Sequence, residues 1–114
     1  MNRFNENIAM VAGTNAAIIA ELIDYLIRES DQETVIEYEK VWCRCSMKMA
    51  TVYCPYLTKY QVEDALWALR DKGIISKGNF NDDRFDHTNW YAFTEYGSGL
   101  MDAEGLSNKR KKVI

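Results

Sequence analysis

Residues 46–91 read SMKMATVYCPYLTKYQVEDALWALRDKGIISKGNFNDDRFDHTNWY, and their punctuation decides the fold. Ser46 is a good N-cap for a short helix of about two turns reaching Tyr53, and Pro55 forbids its smooth continuation while biasing Cys54 out of helical geometry. Thr58 caps the next helix, expected over about 59–72, where Val62, Ala65, Leu66 and Leu69 form a buried stripe. Gly73 supplies its left-handed C-cap. Ile74–Phe80 and Thr88–Thr94 have strand composition, and the polar stretch Asn81–His87 between them makes a hairpin with a solvated tip.

Working outward, Ile19, Leu22, Ile23 and Leu26 recur at the spacing of one apolar helical face, so a helix is expected over about 15–29, capped by Thr14 or Asn15. Its outer face, with Glu21, Asp24, Arg28 and Glu29, is acidic on balance. Residues 1–13 offer little structure and read as a partly mobile arm, with Phe4, Ile8, Met10 and Val11 able to pack on the body. Thr34–Arg44 is rich in β-branched and aromatic residues with imperfect alternation, which places a first strand near Val41–Arg44. Thr94 can cap a short C-terminal helical segment through Ala103, and residues 105–114, with the basic run Lys109–Lys112, read as a disordered tail. The expected class is α+β: a winged helix-turn-helix occupying 14–104, with a three-helix core, a β-hairpin wing and a possible short C-terminal helix.

With 114 residues, 47% of them hydrophobic, the chain is sized for one domain that buries a single core without metals or disulfides. No apolar run approaches the ~20 residues of a membrane span, and Met1–Asn7 lacks a signal-peptide core, so a cytoplasmic protein is expected. Three cysteines, an odd number, suit a reducing compartment. The net charge of −3 weakens the sequence-independent attraction to nucleic acid, so DNA binding must rest on local charge.

The run Trp42–Tyr91 resembles the winged-helix domain at the N-terminus of phage-type replication initiators, or replisome organisers. The resemblance is carried by Trp42, Ser46, Pro55-Tyr56-Leu57-Thr58, Lys72-Gly73-Ile74-Ile75 and, most distinctively, Phe85-Asp86-His87-Thr88-Asn89-Trp90-Tyr91. His87 stands where that pattern has Arg, and no large oligomerisation or helicase-loading domain follows, which implies a stand-alone or truncated DNA-binding module. The implied partner is double-stranded DNA, with helix 59–72 in the major groove and wing 77–88 on the backbone or minor groove. Spacing leaves Lys59, Tyr60, Gln61 and Glu63 away from the buried stripe. Gln61 can then pair with adenine, Lys59 with guanine or phosphate, and Thr58 with phosphate; Lys77, Arg84 and His87 are the wing's contacts, and Lys48 anchors the backbone.

Other chemistries fare worse. Cys43, Cys45, Cys54 and His87 number four metal ligands, but Cys-x-Cys lacks the spacing of structural zinc sites, so buried reduced thiols are expected, with no metal or other cofactor. No nucleophile motif, phosphate loop or paired carboxylate points to an enzyme or a small-molecule substrate. From Thr58 to Trp90, Lys59, Arg70, Lys72, Lys77 and Arg84 face Glu63, Asp64, Asp71, Asp82, Asp83 and Asp86, a balance of −1. Two alternatives therefore stand beside a replication role: a transcriptional regulator of similar architecture, or a protein-interaction or dimerisation module, with a homodimer possible. Tyr60 and Trp67, seven residues apart on one helix side, mark the interaction module, although Trp67 is expected to pack in the core.

Overall fold

A computed structural model describes residues 4–29 and 34–102. Among these residues the chain is α+β, with five helices and one four-stranded antiparallel sheet. The expected unstructured arm is instead a helix, α1 (Glu6–Ala12). Asn5 explains it: the side-chain oxygen accepts from Ile8 N at 3.0 Å, and its Nδ2 donates to Leu100 O. Ile8 is fully buried, while Met10 points outward rather than packing on the body. Gly13, with φ 100, breaks the helix and its carbonyl opens α2 (Thr14–Glu29), accepting from Ala17 N; neither Thr14 nor Asn15 is the cap. Ile19, Leu22, Ile23 and Leu26 of α2 are buried, as their spacing requires.

The expected first strand is the second of a hairpin, β1 (Thr34–Glu37) and β2 (Lys40–Arg44), turned through Tyr38 and Glu39. Both turn residues have positive φ, the geometry of a type I′ turn, in which Asn and Gly are the usual occupants. Sequence reading misses β1 for that reason. Helix α3 (Met47–Tyr53) starts at Ser46, whose Oγ accepts from Met49 N at 3.0 Å, and ends before Pro55. Helix α4 (Lys59–Asp71) closes in a Schellman motif at Gly73, φ 72, with Ile74 N on Leu69 O and Gly73 N on Arg70 O.

Strands β3 (Ile75–Gly78) and β4 (Trp90–Phe93) pair from Ile75↔Phe93 to Gly78↔Trp90, and the sheet order is β1-β2-β4-β3. Helix α5 spans 95–102 and starts at Thr94, whose Oγ1 accepts from Gly97 N. The helices pack on one side of the sheet with Cys43, Tyr91 and Ile75 in their core. On the other side Trp42, Phe80 and Trp90 cluster, with ring centroids 5.1 Å and 6.0 Å apart. This alternation follows from the strand period of two. The basic run Lys109–Lys112, with the rest of 103–114, lies outside the described residues. Among the described residues no helix is long and apolar enough to cross a membrane.

Candidate nucleic-acid interface

Two helices joined by a short turn give this molecule its most distinctive surface. Leu57 is buried and its N–H donates to Cys54 O, so the turn after α3 holds α4 at a fixed angle. The start of α4 is a capping box: Thr58 Oγ1 accepts from Gln61 N at 3.1 Å and Gln61 Oε1 accepts from Thr58 N at 2.8 Å. This box gives two expected contact residues a structural duty. A bidentate grip of Gln61 on adenine competes with the second of these bonds for the orientation of the side chain.

Val62, Ala65, Leu66 and Leu69 of α4 are buried, so the opposite ridge, Tyr60, Asp64, Trp67 and Asp71, faces solvent. Tyr60 is 76% exposed and Trp67 64%. The expectation that Trp67 packs in the core is therefore wrong: the stripe that buries α4 lies on its other side. Trp67 borders three concave surfaces, against the α1–α2 junction, against β3 with Arg70 and Lys77, and against Met47, Asn89 and Tyr91. Arg70, eleven residues or about three turns after Lys59, sits on the same flank of α4.

The loop 79–89 between β3 and β4 is internally braced rather than merely solvated. Arg44 of β2 reaches Asp86 Oδ2 at 2.6 Å and donates to Thr88 Oγ1 at 3.2 Å, and Thr88 N donates to Asp86 Oδ1. Asn81 Nδ2 donates to the carbonyls of Asp86 and Thr88, and its Oδ1 accepts from Trp90 Nε1 at 2.8 Å. Hydrogen bonds from Thr88, then the Arg44 guanidinium, hold the Asp86 carboxyl down to about 2. Arg84 lies over the Phe85 ring, 4.9 Å from its centroid, at the exposed end of the loop.

The expected contact residues thus fall into separate sets. Thr58, Lys59, Tyr60 and Gln61 gather at the start of α4; Arg84 and His87 lie on loop 79–89; Lys77 is exposed on β3 opposite Tyr91; Lys48 is exposed on α3. No hydrogen bond or ion pair joins one set to another among the described residues. Arg44 and Asn81, which brace the loop, escaped sequence reading because their partners are distant in sequence: Arg44 and Asp86 are 42 positions apart. The Asx pattern at Asp86-His87-Thr88 was the available signal.

Cys43 and Cys45 are buried and free, and burial pushes both thiols up to about 12, so they are protonated at neutral pH. Among the described residues no three His, Cys, Asp or Glu side chains are arranged to hold a metal ion. Comparison with protein-family models, curated proteins and solved structures found no match to this chain.

Proposed function

We propose that this chain is a winged-helix module that binds double-stranded DNA, with α4 in the major groove and loop 79–89 as the wing on the backbone or minor groove. The observation that carries the reading is the chain order α3, short turn, α4, then a β-hairpin with a braced loop. A capped α4 presents free amides and Lys59 at its start, and Arg70, Lys77 and Arg84 extend the cationic surface along one flank and onto the hairpin. The resemblance of Trp42–Tyr91 to phage-type initiators directs the role toward replication of a phage or mobile element.

Binding is tested by anisotropy of labelled duplex titrated at about 50 and 200 mM salt. About five phosphate contacts give a log–log slope near −4.5, a loss of two to three decades over that range. Lys59→Glu and Arg84→Glu are expected to abolish binding with the fold intact by circular dichroism. No binding at micromolar protein in low salt refutes the reading. A second reading is favoured by the ridge of α4, where an exposed Trp67 lies among Glu63, Asp64 and Asp71: a winged helix used to hold a protein partner. Charge reversal at Lys59 would leave such a contact in place, whereas Trp67→Ala would remove it.

A further inference from the structure

Of the three concave surfaces that Trp67 borders, one carries more cations than carboxylates. It is the groove between the end of α4 and β3, about 410 Å³, lined by Trp67, Arg70, Asp71, Ile75, Ser76 and Lys77. Here Arg70 and Lys77 meet a single carboxylate, Asp71. The groove at the α1–α2 junction has Asp64 alone, and the one toward Tyr91 has Glu63 and Asp64 against Arg70. The fold makes this difference: Arg70 follows Trp67 by one turn of α4, and Lys77, opposite Tyr91 and two residues after Ile75, lies on the sheet face that the helices cover. Neither Arg70 nor Lys77 is held in an ion pair among the described residues.

We propose that this groove binds a nucleotide of single-stranded DNA, its base stacked on Trp67 and its phosphate between Arg70 and Lys77. An indole 64% exposed beside two cations matches both halves of that ligand, a flat π-face and an anion. A duplex does not satisfy it, because each base face there is covered by its neighbour, whereas an unpaired base leaves its faces open. Around the helix axis Trp67 lies between Arg70 and Asp71, so a phosphate on the Arg70 side has the indole between it and the carboxylate. The volume falls within the range of about 300–1,000 Å³ usual for small-ligand clefts. Arg70 is also about 16 Å along the axis from Lys59, so the groove is separate from the start of α4 and does not rest on the duplex reading.

The test is titration of the full chain with an oligothymidylate of about eight nucleotides, followed by tryptophan emission. Trp42 and Trp90 are buried at 5% and 6% exposure, so stacking is expected to quench the Trp67 component alone, and Trp67→Phe removes the quenching. Anisotropy of the labelled oligomer gives the affinity, which Trp67→Ala should weaken at least about fivefold. Lys77→Gln should weaken it as well and make the log–log salt slope shallower by about 0.7, the share of one phosphate contact on a single strand. Lys59→Glu, expected to abolish duplex binding, should leave the oligomer's affinity within about twofold. Circular dichroism checks that each variant keeps the fold. Thymidine monophosphate quenching Trp67 at the same concentration as the oligomer would overturn the strand as the source and assign the groove to free nucleotides. Oligomer binding that leaves Trp67 emission unchanged, or that Trp67→Ala does not weaken, overturns the proposal, as does no oligomer binding at about 100 μM in about 50 mM salt. Oligomer binding without duplex binding would refute the major-groove reading alone, and the reverse would refute this one alone.

Discussion

Asn81→Ala tests whether loop 79–89 is held by one side chain. Its Oδ1 is the acceptor for Trp90 Nε1–H at 2.8 Å, and Trp90 is nearly buried, so truncation strands that donor at a cost of about 1–3 kcal/mol. The two bonds from Nδ2 to the Asp86 and Thr88 carbonyls add about 0.5–1 kcal/mol in total, discounted because those carbonyls can take water instead. The working figure is about 3 kcal/mol, a large share of the 5–15 kcal/mol typical of a domain, yet compatible with folding at 25 °C. In urea, with a slope of about 1.5 kcal/mol per molar, the midpoint falls by about 2 M. Asn81→Asp is a second probe: it keeps the acceptor for Trp90 but turns an oxygen toward two carbonyls, so it too is destabilising at neutral pH. A loss below about 0.5 kcal/mol for the alanine variant, with unchanged amide exchange in 79–89, would show that the loop is braced by something else.

Other expected outcomes concern positions where the backbone or a charge is specially placed. The Asp86 carboxyl is held at about 2 against an ordinary 3.8; its stabilising effect is whole above the higher value and is lost as pH falls through the lower. Acid titration followed by tryptophan emission should show a transition in that window that Asp86→Asn removes. Gly97→Ala drives a Cβ into the Ile74 carbonyl oxygen, so α5 must shift; a loss of more than about 2 kcal/mol in a denaturant melt is expected. Glu39→Gly relieves a non-glycine residue at φ 61, and after the entropy cost of glycine about 0.5–1 kcal/mol of added stability should appear as a Tm rise of a few degrees.

The elements legible in the sequence are those built from neighbours three or four residues apart. Ser46, Thr58, Pro55 and Gly73 bound α3 and α4, and the apolar period located α2, because caps, ring constraints and helical stripes act within a turn or two of chain. The exposure of Lys59, Tyr60 and Gln61 at the start of α4 was legible for the same reason, whereas Gln61's part in the cap was not read from the sequence. Tertiary structure decided the rest. Residues 6–12 became a helix under the cap of Asn5, whose amide is fixed by Leu100 at the far end of the chain. β1 formed on the pairing of Val35 with Trp42 and Ile36 with Val41 across a turn that lacks the usual residues. Trp67 was left outside, since which side of α4 is buried depends on α2 and the sheet, and an indole's average burial says nothing about that. The brace of loop 79–89 joins Arg44 to Asp86 and Asn81 to Trp90, pairs that meet only when β2, β3 and β4 lie side by side. Local free energy is written in short spacings, whereas contacts across a sheet exist only after the chain has closed on itself, and the shape of this surface is made of the second kind.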